Sequence, residues 1–270
     1  MKASVETAGR GLFSGQNAAV RLLRDAGPLR IRVGDRERAL GQLEARARGR
    51  TSALFAGEVV FLSCVEHLFA AVGALGIFSD LVVESSADEL PLLDGGAARW
   101  AESLRALFPD SVGKAPSLRV VREGVIPVGP SEYSLRPSTA RRVAVSFETT
   151  HPAVAREATW EGDADDFLRR IAPARTFVEE RDLALMLASG RSATADPESV
   201  VVLGAETVHA AGRPFSADEP ARHKLLDLIG DLALHGGPPR GEVFARRPGH
   251  AATHVAVARA LADGILTRDA

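Results

Sequence analysis

The chain has 270 residues, 46% of them hydrophobic, and a formal net charge of -2. That is enough length and apolar content for one large domain or two smaller ones, and the charge excludes the strongly basic footprint of a nucleic-acid binder. No apolar run is long enough to span a bilayer, no polybasic patch marks a membrane surface, and the start lacks the basic-then-apolar order of a secretory leader. A single cysteine, Cys64, excludes an internal disulfide, so the expected setting is the reducing cytoplasm.

In chain order, the patterning predicts strands at Ala18–Arg24 and Leu29–Val33, then Val59–Leu62 running into a helix that opens with Glu66-His67. A strand at Leu81–Glu84 and a helix at Ala97–Leu107 follow, and the stretch from Pro109 to Pro116 breaks the pattern. Beyond it come strands at Leu118–Val121, Tyr133–Arg136, Arg142–Phe147 and Ala158–Glu161, then helices near Asp165–Ile171 and Asp182–Ala188. Ala174-Arg175-Thr176-Phe177 lies between these two helical patterns. A strand Val200–Leu203, the helix around His223, a strand Gly241–Ala245 and a helix His250–Leu261 complete the chain. Strands and helices are segregated rather than alternating, which predicts α+β architecture. A boundary near residues 109–117 would separate an N-terminal α+β domain (1–113) from a C-terminal one (114–270). A weak internal echo agrees: Glu66 to Gly73 and His223 to Gly230 are both seven apart. Equivalent helices of two related halves would then share one cleft.

The stretch from Arg222 to Asp231 carries the strongest chemical signal. His223 and Asp227 stand at i and i+4 of a helix, with Asp231 one turn further on, while Leu225, Leu226, Leu228, Ile229 and Leu232 cover the rest of its surface. Buried His and Asp must be paired or must coordinate something, and on this helix alone a simple i,i+4 hydrogen bond stays open. His67 supplies a possible third ligand, making a His₂-carboxylate set of the kind that holds a catalytic zinc with one open position. Such a set also suits Fe²⁺. Glu66, adjacent to a ligand, is placed to act as a base toward a water activated on the metal; its alternative is a helix-start glutamate favoured by the dipole.

His250 opens the last helix after Pro248-Gly249 and is a candidate proton donor to a leaving amine, with Asp231 as the carboxylate that orients it; a surface helix-start histidine is the alternative. His151, His209, His235 and His254 have no such support and are expected to be structural. Thr176 could aim a hydroxyl at a developing oxyanion. Lys224 is one of only three lysines, with Lys2 and Lys114, among 33 basic residues, which singles it out beside His223, a solvated helix-edge lysine being the alternative. Cys64 with His67 as base would make a thiol enzyme, but its apolar neighbours favour a buried, inert thiol.

Together Gly11-Leu12-Phe13-Ser14-Gly15, Val65-Glu66-His67-Leu68, Leu90-Pro91-Leu92-Leu93-Asp94-Gly95, Ala174-Arg175-Thr176-Phe177, Arg222 to Asp231 and Gly249-His250-Ala251 resemble, in order and spacing, the motifs of the zinc-dependent UDP-3-O-acyl-N-acetylglucosamine deacetylases of lipid A biosynthesis. The resemblance implies two α+β domains packed with their helices between the two sheets. It implies His67, His223 and Asp227 as zinc ligands, Glu66 as general base, His250 as general acid with Asp231 as its partner, Thr176 as oxyanion support, Lys224 near the substrate's phosphates and Phe177 in substrate binding. The implied partner is a small molecule, an acylated UDP-amino sugar, handled by a monomer.

Three features depart from the family pattern. Phe13 stands where histidine is usual, Glu179 and Glu180 stand where apolar residues line a fatty-acyl passage, and Ser192-Ala193-Thr194-Ala195-Asp196 replaces an expected Gly-Gly-Ser turn. A charged pair facing an acyl chain would cost several kcal/mol, so either both glutamates point to water or the substrate differs. The sequence therefore leaves two further readings: a paralogue that deacetylates another N-acetylated sugar, and a non-catalytic zinc-binding regulatory protein.

Overall fold

A computed structural model describes residues 3–109, 118–149, 151–183 and 196–268. Strands β1 (Ser4–Arg10), β2 (Asn17–Pro28), β3 (Arg30–Val33) and β4 (Arg36–Ala39) are followed by β5 (Glu44–Arg48), β6 (Thr51–Ala56) and β7 (Val59–Ser63). Helix α1 (Glu66–Leu75), strand β8 (Ser79–Ser85) and helix α2 (Ala98–Leu107) close the first half. The second half runs β9 (Leu118–Val120), β10 (Gly124–Val128), β11 (Ser131–Arg136), β12 (Arg141–Ser146) and β13 (Glu157–Trp160), then β14 (Thr176–Glu179), β15 (Val200–Leu203) and β16 (Val208–Ala210). It ends with helix α3 (Glu219–Ala233), β17 (Gly241–Arg246), helix α4 (His250–Ala262) and β18 (Leu266–Arg268).

The mixture of sheets and few helices is the α+β architecture expected. Two five-stranded sheets dominate it, in orders β1-β2-β8-β3-β4 and β10-β11-β17-β12-β13. Each is a hairpin, a late strand antiparallel to that hairpin and parallel to the next strand, and then a second hairpin. In each half an extra three-stranded sheet, β5-β6-β7 or β14-β15-β16, is inserted before the helix that leads to the late strand. Strand β2 shows why the sheets have one apolar face: Ala18, Val20 and Leu22 alternate with exposed residues and are buried.

The helices gather on one another. α1 packs against α2 and α3, α3 against α4 and strands β12 and β13, and α2 against β1 and β2. All of α1 except His67 is buried, which fits a helix apolar all round rather than a surface helix. Two glycines set the α1–α3 approach. A Cβ on Gly230 would lie 2.1 Å from the Glu66 carbonyl oxygen, and one on Gly73 would lie 2.8 Å from the Ala233 Cβ. The two glycines of the internal echo are thus the places where the helices touch.

Several elements differ from expectation. β1, β4, β5, β6, β10, β16 and β18 are not expected from the sequence: β1, β4 and β5 are polar or small, β16 and β18 have only three residues, and β10 is apolar but carries Pro127, which suits its place at a sheet edge. The expected helix at Asp165–Ile171 is only a short turn, Ala164–Asp166, widening into a π turn over Phe167–Ile171. Thr176-Phe177 is no interhelical loop: it starts β14, paired parallel to β15. The expected helix at Asp182–Ala188 is described only to Leu183, and residues 110–117 of the expected boundary and 192–195 of the replaced turn lie outside the described residues.

Candidate metal centre and acid–base site

His67, next to the start of α1, and His223 and Asp227, one turn apart on α3, converge where the two helices meet. One donor atom from each lies within 4.8 Å of the others. Asp227 Oδ1 is 3.7 Å from His67 Nε2 and 3.4 Å from His223 Nε2, and the two imidazoles stand edge to face with centroids 5.1 Å apart. His223 Nδ1 donates to the Ala174 carbonyl at 3.0 Å, which leaves Nε2 as the free donor atom facing the cluster. Burial, helped by His223, pushes the His67 imidazole down to about 3, and burial likewise lowers His223. Burial opposes ionisation of Asp227, but Lys224 and the surrounding imidazoles outweigh it and hold the carboxyl below the usual range. Two neutral imidazoles and one carboxylate are the donor set that a divalent cation such as zinc requires.

The two oxygens of Asp227 are divided between neighbours. Oδ1 faces the histidines, while Oδ2 accepts from Lys224 Nζ at 2.8 Å. The ammonium also lies 5.5 Å from the centre of the Phe177 ring. Lys224 is therefore no freely solvated helix-edge lysine.

Glu66 and His250 face each other beside this cluster, with His250 Nε2 3.8 Å from Glu66 Oε1. The Glu66 carboxylate accepts from the Thr51 hydroxyl, 2.5 and 2.7 Å from its two oxygens, and from the Ser52 N–H at 3.1 Å. Burial pushes Glu66 up to about 7 against the pull of His250 and the Thr51 hydroxyl. A carboxyl at that value is poised to take a proton near neutrality. His250 is the reverse case. Burial would lower it, but Asp231, 3.0 Å from its Nδ1, prevails and raises it to about 10. The arrangement pairs a proton acceptor with an imidazolium that has a proton to give.

Local folding delivers these groups. Cys64 adopts φ 57, and this left-handed residue turns the chain from β7 into α1 so that Glu66 and His67 begin the helix. Its thiol is pushed well above the usual range by burial and by Glu66 and Glu89, which removes it as a nucleophile. Arg175 is fully buried and pairs with Glu219 at the start of α3 (2.8 Å), also donating to the Ala211 carbonyl. That buried pair holds Ala174 on His223 and starts β14 with Thr176 beside the site. The Thr176 N–H donates to Gly95 at 2.7 Å, and Ser199 Oγ to the Leu93 carbonyl, so the Leu90–Gly95 motif braces β14 and β15. The glycine motif is held from the same side: Glu89 accepts from the N–H groups of Phe13 and Ser14 at 2.7 and 2.8 Å.

A cavity of about 710 Å³ opens on the cluster. Glu66, His67, Thr176, Lys224, Asp227 and His250 form its polar end, and Phe177, Val200, Val202 and Val208 continue it along the β14-β15-β16 sheet. Leu12 and Phe13 add apolar surface at the other wall. Glu179 and Glu180 are exposed, Glu179 paired with Arg181, so neither charge faces this lining.

All the site residues expected from the sequence lie in or directly behind this cavity. The sequence reading missed Thr51 and Ser52, which nothing but tertiary position singles out. The four histidines expected to be structural lie in different places. His209 lines the cavity, and His235 and His254 form a hydrogen-bonded pair behind Asp231. His151 lies apart from them, with Nε2 3.1 Å from the Thr207 carbonyl.

The family model for LpxC, UDP-3-O-acyl N-acetylglycosamine deacetylase, matches residues 1–263. The UDP-3-O-acyl-N-acetylglucosamine deacetylases of Brucella ovis, Brucella melitensis biotype 2 and Brucella suis biovar 1 are each 35% identical to it over 211 residues, covering 75% of this chain and 71% of their own. With the match running almost from end to end, the chain belongs to the LpxC family of UDP-3-O-acyl N-acetylglycosamine deacetylases.

Proposed function

We propose that this protein is a zinc-dependent deacetylase that removes the N-acetyl group of UDP-3-O-acyl-N-acetylglucosamine, as the names of its relatives say of them. The observation that carries the reading is the meeting of Glu66, His67, His223, Asp227 and His250 at the polar end of an apolar cavity. His67, His223 and Asp227 would hold the cation, with Fe²⁺ as the other fitting ion. When bound, a divalent cation polarises the acetyl carbonyl and lowers the pKa of water.

The rest of the chemistry belongs to the chain. Glu66 takes a proton as water oxygen bonds to the acetyl carbon, and the Thr176 hydroxyl steadies the charge that builds on the acetyl oxygen. The carbon–nitrogen bond then breaks as His250 passes its Nε2 proton to the departing nitrogen, leaving acetate and a free amine. Asp231 keeps His250 cationic until that moment. Lys224, already beside Asp227, presents a positive charge to the diphosphate, and Phe177 packs the sugar side. The apolar wall of β14 to β16 takes the fatty acyl chain, a role supported by the outward placement of Glu179 and Glu180.

The same reading includes the two-domain organisation, with the division in the 109–117 segment. The repeated strand order of the two five-stranded sheets and the contact of α1 with α3 support it, the paired helices lying between the sheets. The test of function is turnover of acylated against non-acylated UDP-N-acetylglucosamine by metal-quantified protein. Faster turnover of the acylated compound is expected. A preference for the non-acylated one would instead favour a paralogous sugar deacetylase, and bound zinc without hydrolysis of either would favour the regulatory reading.

A further inference from the structure

Behind Asp231 lies a row of polar groups that the chemistry above does not use. The fully buried Ser52 donates its hydroxyl to Asp231 Oδ1 at 2.6 Å. His254 Nε2 lies 2.8 Å from Ser52 Oγ, and His235 Nε2 lies 2.9 Å from His254 Nδ1. A hydroxyl has one proton, and here it is spent on a carboxylate that has none to give. His254 Nε2–H must therefore be the donor to Ser52. That tautomer leaves His254 Nδ1 as an acceptor, which His235 Nε2–H fills. The arrangement requires a neutral His254, whose Nδ1 accepts, and a proton on His235 Nε2. Burial favours neutral rings, lowering His254 and bringing His235 down to about 4. The whole row then points its donors one way, from His235 through His254 and Ser52 onto Asp231, which also receives His250 Nδ1–H, 3.0 Å from both of its oxygens and 3.3 Å from Ser52 Oγ.

We propose that Ser52, His254 and His235 are positioning residues that fix the Asp231 carboxylate and, through it, set how readily His250 gives up its proton. The proposal rests on the reading of His250 as proton donor. A hydrogen bond received by Asp231 disperses its negative charge, so the carboxylate holds the imidazolium less tightly and His250 is the stronger acid. Each link also polarises the next. The other groups facing the dyad are Glu66, 3.8 Å from His250 Nε2, Asp227, whose charge also raises His250, Lys224 beside it, and the Tyr133–Thr253 hydroxyl pair, while Arg268 donates to the His235 carbonyl.

The test is the pH profile of kcat/KM for metal-loaded Asp231→Asn, Ser52→Ala and His254→Leu, with Ser52→Thr and His254→Gln as variants that keep a donor in place. Asp231→Asn takes away the counter-ion, so the alkaline limb moves to lower pH. Ser52→Ala leaves the counter-ion more concentrated, so that limb moves to higher pH, by roughly one unit, the worth of a hydrogen bond to a charged group. His254→Leu moves it the same way by less, and Ser52→Thr and His254→Gln restore it. Partial unfolding lowers activity but does not move the limb. If Asp231→Asn shifts the limb and Ser52→Ala does not, the positioning role is overturned while His250 stands as the acid. If the limb ignores Asp231→Asn, the reading of His250 itself fails. Independently, histidine ¹H–¹⁵N spectra should show neutral His254 protonated at Nε2; a proton on Nδ1 would refute the row.

Discussion

The two inserted sheets, β5-β6-β7 and β14-β15-β16, occupy equivalent places in a repeated strand order, yet they bring opposite chemistry to the cavity. The first sends two adjacent buried hydroxyls, Thr51 and Ser52, onto the carboxylates Glu66 and Asp231. The second lines the far end of the cavity with Phe177, Val200, Val202 and Val208. Hydroxyls beside carboxylates tune charge; valines beside a cavity only exclude water and select shape. On the proposed function, the first insertion bears on proton handling, and the second mainly on recognition, with Thr176 as its one contribution to the polar end. The candidate metal cluster belongs to neither, because its residues meet where α1 and α3 touch.

That division can be broken at three points. The largest effect is expected from Asp227→Ala, which removes the only carboxylate of the cluster: kcat/KM should fall by roughly a thousandfold and bound metal should drop well below one per chain. One stoichiometric zinc retained in that variant, by elemental analysis, would rule out the ligand assignment.

The helix contact is next. Gly230→Ala would drive a Cβ into the Glu66 carbonyl at 2.1 Å, whereas Gly73→Ala meets a side-chain methyl, the Ala233 Cβ, at 2.8 Å. Overpacking of this kind costs about 1–3 kcal/mol, and Gly230→Ala should lie at the upper end because backbone cannot step aside as a side chain can. Thermal unfolding compares the pair; a larger loss from Gly73→Ala would show that Glu66 is not held at the closest approach.

The smallest effect probes the second insertion alone. Val202→Trp should lower kcat/KM for the acylated substrate by about tenfold while leaving the non-acylated compound unchanged. Equal losses on both would mean that β15 shapes the polar end as well.

Much of the site was legible because its residues sit on two helices with a strong period. His223, Asp227 and Asp231 follow the 3.6-residue repeat of α3, and Glu66-His67 opens the other apolar helix. Thr176 was legible as a residue but not as the start of a strand, since four residues of β14 pair only with a strand more than twenty positions later. Ser52 and His254 were not legible at all. They are 202 residues apart in sequence and 2.8 Å apart in space, and no local pattern marks either. The charge of Glu179 and Glu180 could be read from the sequence, but the side of β14 on which it falls could not.

The sequence by itself determined the chemistry available: which imidazoles and carboxylates lie one helical turn apart, and that the cysteine has apolar neighbours. Those properties depend on spacing within a single element, which backbone geometry dictates locally. Only the tertiary structure decided which groups are neutral, which are charged and which face water. Glu66 is raised because burial outweighs His250 and the Thr51 hydroxyl, and His250 is raised because Asp231 outweighs burial, and these surroundings are assembled only when the sheets and helices close on one another.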